Sequence, residues 1–121
     1  MKRKRSTFLA LVCLCVCVMA ASMAPAADSP EQTVTVTAKK FQFTPNEITV
    51  RQGVPVVLKI TSQDVLHGFN CPGLKIRADV KPGQENVLRF TPDKAGTFPF
   101  HCDNFCGSGH GGMTGTITVI P

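Results

Sequence analysis

The stretch Thr97-Phe98-Pro99-Phe100-His101-Cys102-Asp103-Asn104-Phe105-Cys106-Gly107-Ser108-Gly109-His110-Gly111-Gly112-Met113-Thr114-Gly115-Thr116-Ile117-Thr118-Val119 reads as strand, loop, strand. Phe98, Phe100 and Cys102 fall on one face of a period-2 run, and Thr116 to Val119 alternates again. The loop between them has glycine at 107, 109, 111 and 112, which lets the backbone wrap tightly around His110.

The same alternation continues upstream. Thr33-Val34-Thr35-Val36-Thr37 and Ile48-Thr49-Val50 alternate, and Val56 to Ile60 and Val87 to Phe90 are rich in β-formers. Pro45-Asn46, Gly53-Val54-Pro55, Pro72-Gly73, Pro82-Gly83, Pro92-Asp93 and Ala95-Gly96 break the runs. Short strands at turn-punctuated spacing, with no 3.6-residue apolar period, predict an all-β Greek-key sandwich over 28–121. With 121 residues there is room for one small domain.

The N-terminus reads differently. Lys2 to Arg5 form a positive run, Phe8 to Ala21 carries no charge, and Ala24-Pro25-Ala26-Ala27 supplies small residues. That order predicts a cleaved signal peptide over 1–27 and a periplasmic or otherwise exported domain. The apolar run is shorter than the ~20 residues a spanning helix needs, so an uncleaved anchor is the lesser reading. The net charge of +5 is concentrated in that run: beyond it, nine Lys/Arg face eight Asp/Glu. No basic patch and no Trp or Tyr remain for nucleic-acid binding. Cleavage removes Cys13, Cys15 and Cys17 and leaves Cys71, Cys102 and Cys106, an odd number unsuited to a plain disulfide framework.

The loop is a set of soft donors: Cys102, Cys106, His110 and Met113. Thiolate, imidazole and thioether together suit copper above hard cations. His67, in Asp64-Val65-Leu66-His67, is distant in sequence but reaches the same pole if the sandwich brings strand ends together. Three narrower readings stay open at this level. Cys102 and Cys106 could form a local disulfide, which leaves the other donors without a role. A single blue-type copper would use His67, Cys106, His110 and Met113 and leave Cys102 idle. Zinc would use both cysteines and both histidines and leave Met113 idle. His101, adjacent to Cys102, points to the opposite side of its strand. Cys71 is expected as a free thiol, buried or dimer-forming. Asp64 and Asp103 do not read as paired catalytic acids, and no acid–base pair, phosphate loop or haem-attachment motif suggests an enzyme.

The spacing C-x-x-x-C-x-x-x-H-x-x-M, with the upstream Asp64-Val65-Leu66-His67, resembles the binuclear copper A domain of cytochrome c oxidase subunit II. Nitrous-oxide reductase carries a similar site. Phe41 to Val50 resembles the opening of many cupredoxins, and Pro72 to Gly83 resembles the subunit II segment after its first ligand histidine. The resemblance implies two copper ions bridged by Cys102 and Cys106 and capped by His67 and His110. Met113 and the backbone carbonyl of Asn104 would be weak ligands. It further implies one-electron transfer with a redox partner such as a c-type cytochrome or a terminal oxidase or reductase. A membrane would be reached only through that partner or an uncleaved anchor. The alternative of another class is a periplasmic copper carrier that delivers copper to an oxidase. Asp79 resembles an acidic docking residue of the family, beside the plain reading of a solvated surface acid. Two departures stand out: subunit II usually has Glu, reaching a magnesium, where this chain has Asn104, and its tryptophan for electron entry is missing.

Overall fold

Alternating Thr/Val and Ile/Thr runs bury one face each, and two sheets stacked face to face satisfy all of them at once. The computed structural model describes residues 30–121. The expected signal segment 1–27, with Cys13, Cys15 and Cys17, lies outside the described residues. Nine strands follow in order: β1 Gln32–Lys39, β2 Gln42–Thr44, β3 Glu47–Arg51, β4 Val56–Ser62, β5 His67–Cys71, β6 Ile76–Val80, β7 Asn86–Phe90, β8 Gly96–His101 and β9 Thr114–Ile120. One sheet has the order β2-β1-β4-β7 and the other β3-β9-β8-β5-β6. β1 runs parallel to β4 and β3 parallel to β9; the other pairings are antiparallel. The expected all-β sandwich is therefore the observed fold. Among the described residues no helix is long and apolar enough to cross a membrane.

Register follows the alternation. Val36 lies opposite Ile60 in the β1–β4 pair, and Ile48 and Val50 lie opposite Ile117 and Val119 in the β3–β9 pair; all six are buried. Phe43 from one sheet meets Phe69 and Phe100 from the other, with ring centroids 4.6 to 5.6 Å apart. This trio fixes the pole where the donors gather. His67 precedes Phe69 in period 2 on β5, and Cys102 follows Phe100 just past β8. The expected run Thr97 to Cys102 ends as a strand at His101, but the Cys102 N–H still donates to the Met113 carbonyl at 3.0 Å. That bond closes the base of the loop.

The sequence reading passed over β2, β5 and β6 as strands. Gly68 and Asn70 are poor β-formers, and β5 exists because it pairs with β6 along its whole length, His67 to Val80 and Cys71 to Ile76. Cys71 is fully buried in the core, its thiol 3.9 Å from the Phe98 carbonyl. A dimer-forming role for it is therefore corrected. Burial pushes that thiol up from its ordinary pKa, because no charge is tolerated there.

Candidate metal centre

The six residues read from the sequence come together at one pole. His67 Nδ1 lies 3.9 Å from Cys102 Sγ, the two sulfurs are 3.8 Å apart, and Cys106 Sγ is 3.7 Å from His110 Nδ1. Met113 Sδ stands 3.9 Å from Cys106 Sγ, and the Cys102 thiol donates to the Asn104 carbonyl at 3.2 Å. The donors thus form a row, imidazole, sulfur, sulfur, imidazole, with a thioether beside one sulfur and a carbonyl beside the other. Both cysteines are free thiols. His67, Cys102, Cys106 and Met113 are buried, whereas His110 and Asn104 are partly exposed. One end of the row is sealed in the core and the other opens toward solvent.

Asp64 orients the sealed end. Its Oδ1 accepts from His67 Nε2 at 2.7 Å, so the proton sits on Nε2 and the Nδ1 lone pair faces the sulfurs. The same carboxylate accepts from the backbone N–H of Lys40 at 2.8 Å and of Val65 at 2.7 Å. Burial opposes its charge, but these donors outweigh it and hold Asp64 well below the usual carboxylate range. The sequence signal for this contact is an Asp three residues ahead of His67. Arg77 grips the Asp103 carboxylate. His101 sits half-buried on the face opposite Phe100 and Cys102, as the alternation required. Asp79 is exposed and paired with Arg77 at 2.8 Å.

The donor set fits a soft metal. Two sulfurs, two imidazole nitrogens and a thioether converge, and the one oxygen is a neutral carbonyl. Burial first, and then the adjacent Cys102 thiol, push the Cys106 thiol up to about 11. The cysteine therefore holds its proton near neutral pH until a cation displaces it. At the open end Phe105, 78% exposed, lies 5.8 Å from the His110 ring, and Leu66 is exposed beside it.

The chain belongs to the cupredoxin-like domain family, whose model matches residues 10–119. It is 44% identical to a cytochrome c oxidase subunit 2 of Thermus thermophilus over 89 residues, 74% of this chain. That match covers 66% of the relative, so the chain spans just under two thirds of the relative's length. The periplasmic domain of subunit II of cytochrome oxidase from Bradyrhizobium japonicum superposes with a TM-score of 0.68. That match has 24% identity over 74% of this chain and 83% of that one, and it speaks for the fold alone. A heme-copper terminal oxidase dimer solved by cryo-EM matches with a TM-score of 0.67 and 29% identity, over 74% of this chain and 65% of that one. The resemblance to oxidase subunit II read from the His67 and Cys102–Met113 residues is borne out.

Proposed function

We propose that this chain is an exported electron-transfer domain that holds two copper ions. Cys102 and Cys106 would hold both ions, His67 and His110 would each serve one, and Met113 and the Asn104 carbonyl would be weak ligands. The observation that carries this reading is the row itself. Each imidazole adjoins a different sulfur, at 3.9 and 3.7 Å, instead of both converging with Met113 on Cys106. A single-copper site needs the latter arrangement, and it would leave the buried Cys102 thiol without a task.

Copper bound there supplies a one-electron couple; the rest is the work of the chain. The Phe43, Phe69 and Phe100 trio and the β8–β9 ladder keep the donors in place, so little has to move when charge changes. Asp64 keeps His67 in one tautomer. Met113, fully buried, excludes water from the sulfur pair. His110 and Phe105 give the electron its way out, toward a redox protein such as a c-type cytochrome or a terminal oxidase or reductase. Residues 1–27 act as the export signal and 28–121 as the domain. On this reading the domain catalyses nothing alone and serves as a carrier for, or component of, an oxidase or reductase.

Rapid mixing of the copper-loaded chain with a reduced c-type cytochrome tests the role. The expected result is one electron taken up per chain with the copper retained. Transfer of copper to a chelating acceptor, without electron exchange, would make the chain a copper carrier instead.

A further inference from the structure

Sheet pairing runs out where the metal centre begins. β5 and β8 share a single aligned pair, Asn70 with His101. Beyond it, Cys102 to Asn104 are tied to β5 and β6 mainly through side chains. The Asp103 carboxylate accepts from Arg77 Nε at 2.6 Å, from Arg77 Nη2 at 3.0 Å and from Asn70 Nδ2 at 3.2 Å. Arg77 Nη1 in turn meets Asp79 Oδ1 at 2.8 Å, two residues along the same strand. Gly68 leaves the room that Asp103 fills, since a Cβ there would overlap the Asp103 carboxylate. The Gly68 N–H faces Cys102 Sγ at 3.5 Å, and Asn104 Nδ2 donates to the Leu66 carbonyl at 3.3 Å.

A guanidinium fork on a carboxylate fixes both its position and its plane. Asp103 lies between Cys102, which offers a sulfur, and Asn104, which offers a carbonyl. Holding its side chain therefore holds the backbone that carries both donors. β6 is an edge strand and Arg77 projects from its outer side, so the core does not depend on it.

We propose that Arg77, acting through Asp103, is a positioning residue for the metal centre: the pair sets Cys102 to Asn104 in the binding arrangement before metal arrives. The inference rests on the copper reading above and adds to it how the loop is preorganised. Without the fork, the loop moves more freely in the metal-free chain and copper leaves sooner.

The test compares Arg77→Gln, Arg77→Lys and Arg89→Gln in the full chain. Arg89 is the control, an exposed arginine paired with Glu31 at 3.4 Å on the other sheet. Hydrogen exchange of amides 102–106 is followed in metal-free protein, and copper(I) release to a chelator in loaded protein. Arg77→Gln should raise exchange across 102–106 and speed release about tenfold. Arg77→Lys should fall between, because an ammonium is a single point charge. Arg89→Gln should match the parent. If Arg77→Gln behaves like Arg89→Gln in both readouts, the proposal is wrong. It is equally wrong if exchange rises through both sheets, for then Arg77 is a general stabiliser. A parent chain that takes up no copper would sink the copper reading instead, and the exchange comparison would still decide the clamp.

Discussion

Met113 illustrates how residue-scale chemistry is read and checked. Its sulfur is fully buried 3.9 Å from Cys106 Sγ, near enough to act as a weak donor and too far along the row to bridge. Met113→Leu keeps the volume and removes the donor. Both coppers should remain, and the reduction potential should rise, because the oxidised ion loses more from the missing electron pair. A rise on the order of 60 mV, a tenfold change in relative affinity, is the expected scale by redox titration. Outright loss of copper would make Met113 a stronger ligand than assigned. The buried thiols carry a pH prediction. Cys71 and Cys106 both ionise above the ordinary 9.0, Cys106 at about 11. The unfolded chain loses these protons first as pH rises, so the stability they contribute is complete below pH 9 and is lost toward pH 11. The urea midpoint of the metal-free chain should hold from pH 7 to 9 and then fall; a midpoint unchanged to pH 11 would contradict the burial argument. The metal donors were legible because four of them lie within one twelve-residue loop at telling spacings. Arg77 and Asp103 were not, because 26 residues separate them and only the β8-β5-β6 pairing order brings them together.

At the scale of elements, β5 shows what alternation alone cannot say. His67, Phe69 and Cys71 line its inner face, yet Gly68 and Asn70 break the propensity pattern that betrays a strand. Gly68 is there for another reason: the metal loop lies against it. Gly68→Ala would drive a methyl into the Asp103 carboxylate, with Asn104 N only 3.1 Å away. The expected cost is about 1–3 kcal/mol of overpacking, directed at the loop. Copper titration should show weakened binding while circular dichroism stays that of a β-sandwich. Gly111→Ala, with nothing within 4 Å of the added carbon, should bind copper as the parent does. Equal binding by the two variants would mean that Gly68 does not set the loop. β1, β3, β4 and β9 were readable because Val and Ile alternate with Thr or sit in a nearly continuous buried run, β7 because Val87 to Phe90 is rich in β-formers, and β8 because Phe98 and Phe100 alternate. β6 was hidden by its own charges, Arg77 and Asp79, which face outward.

At the scale of the whole molecule, a metal held by these donors would be thermodynamically linked to the sandwich. The candidate centre caps a core built on three phenylalanines, and its donors come from β5 and the segment between β8 and β9. A metal bound to this arrangement and not to the unfolded chain adds about 2.7 kcal/mol at a hundredfold excess over Kd. For a domain of this size that corresponds to a rise on the order of 10 °C in Tm. Calorimetry with and without copper checks it, and an unchanged Tm would mean that the donors are not held by the folded state. The central claim is narrower: two coppers share one pair of sulfurs. Copper stoichiometry combined with electron paramagnetic resonance on the loaded domain tests it most directly. The account predicts two coppers per chain and one unpaired electron spread over both nuclei, lost in Cys102→Ser and in Cys106→Ser. One copper per chain with a single-nucleus pattern, or two coppers retained with an unchanged spectrum in either variant, would contradict it.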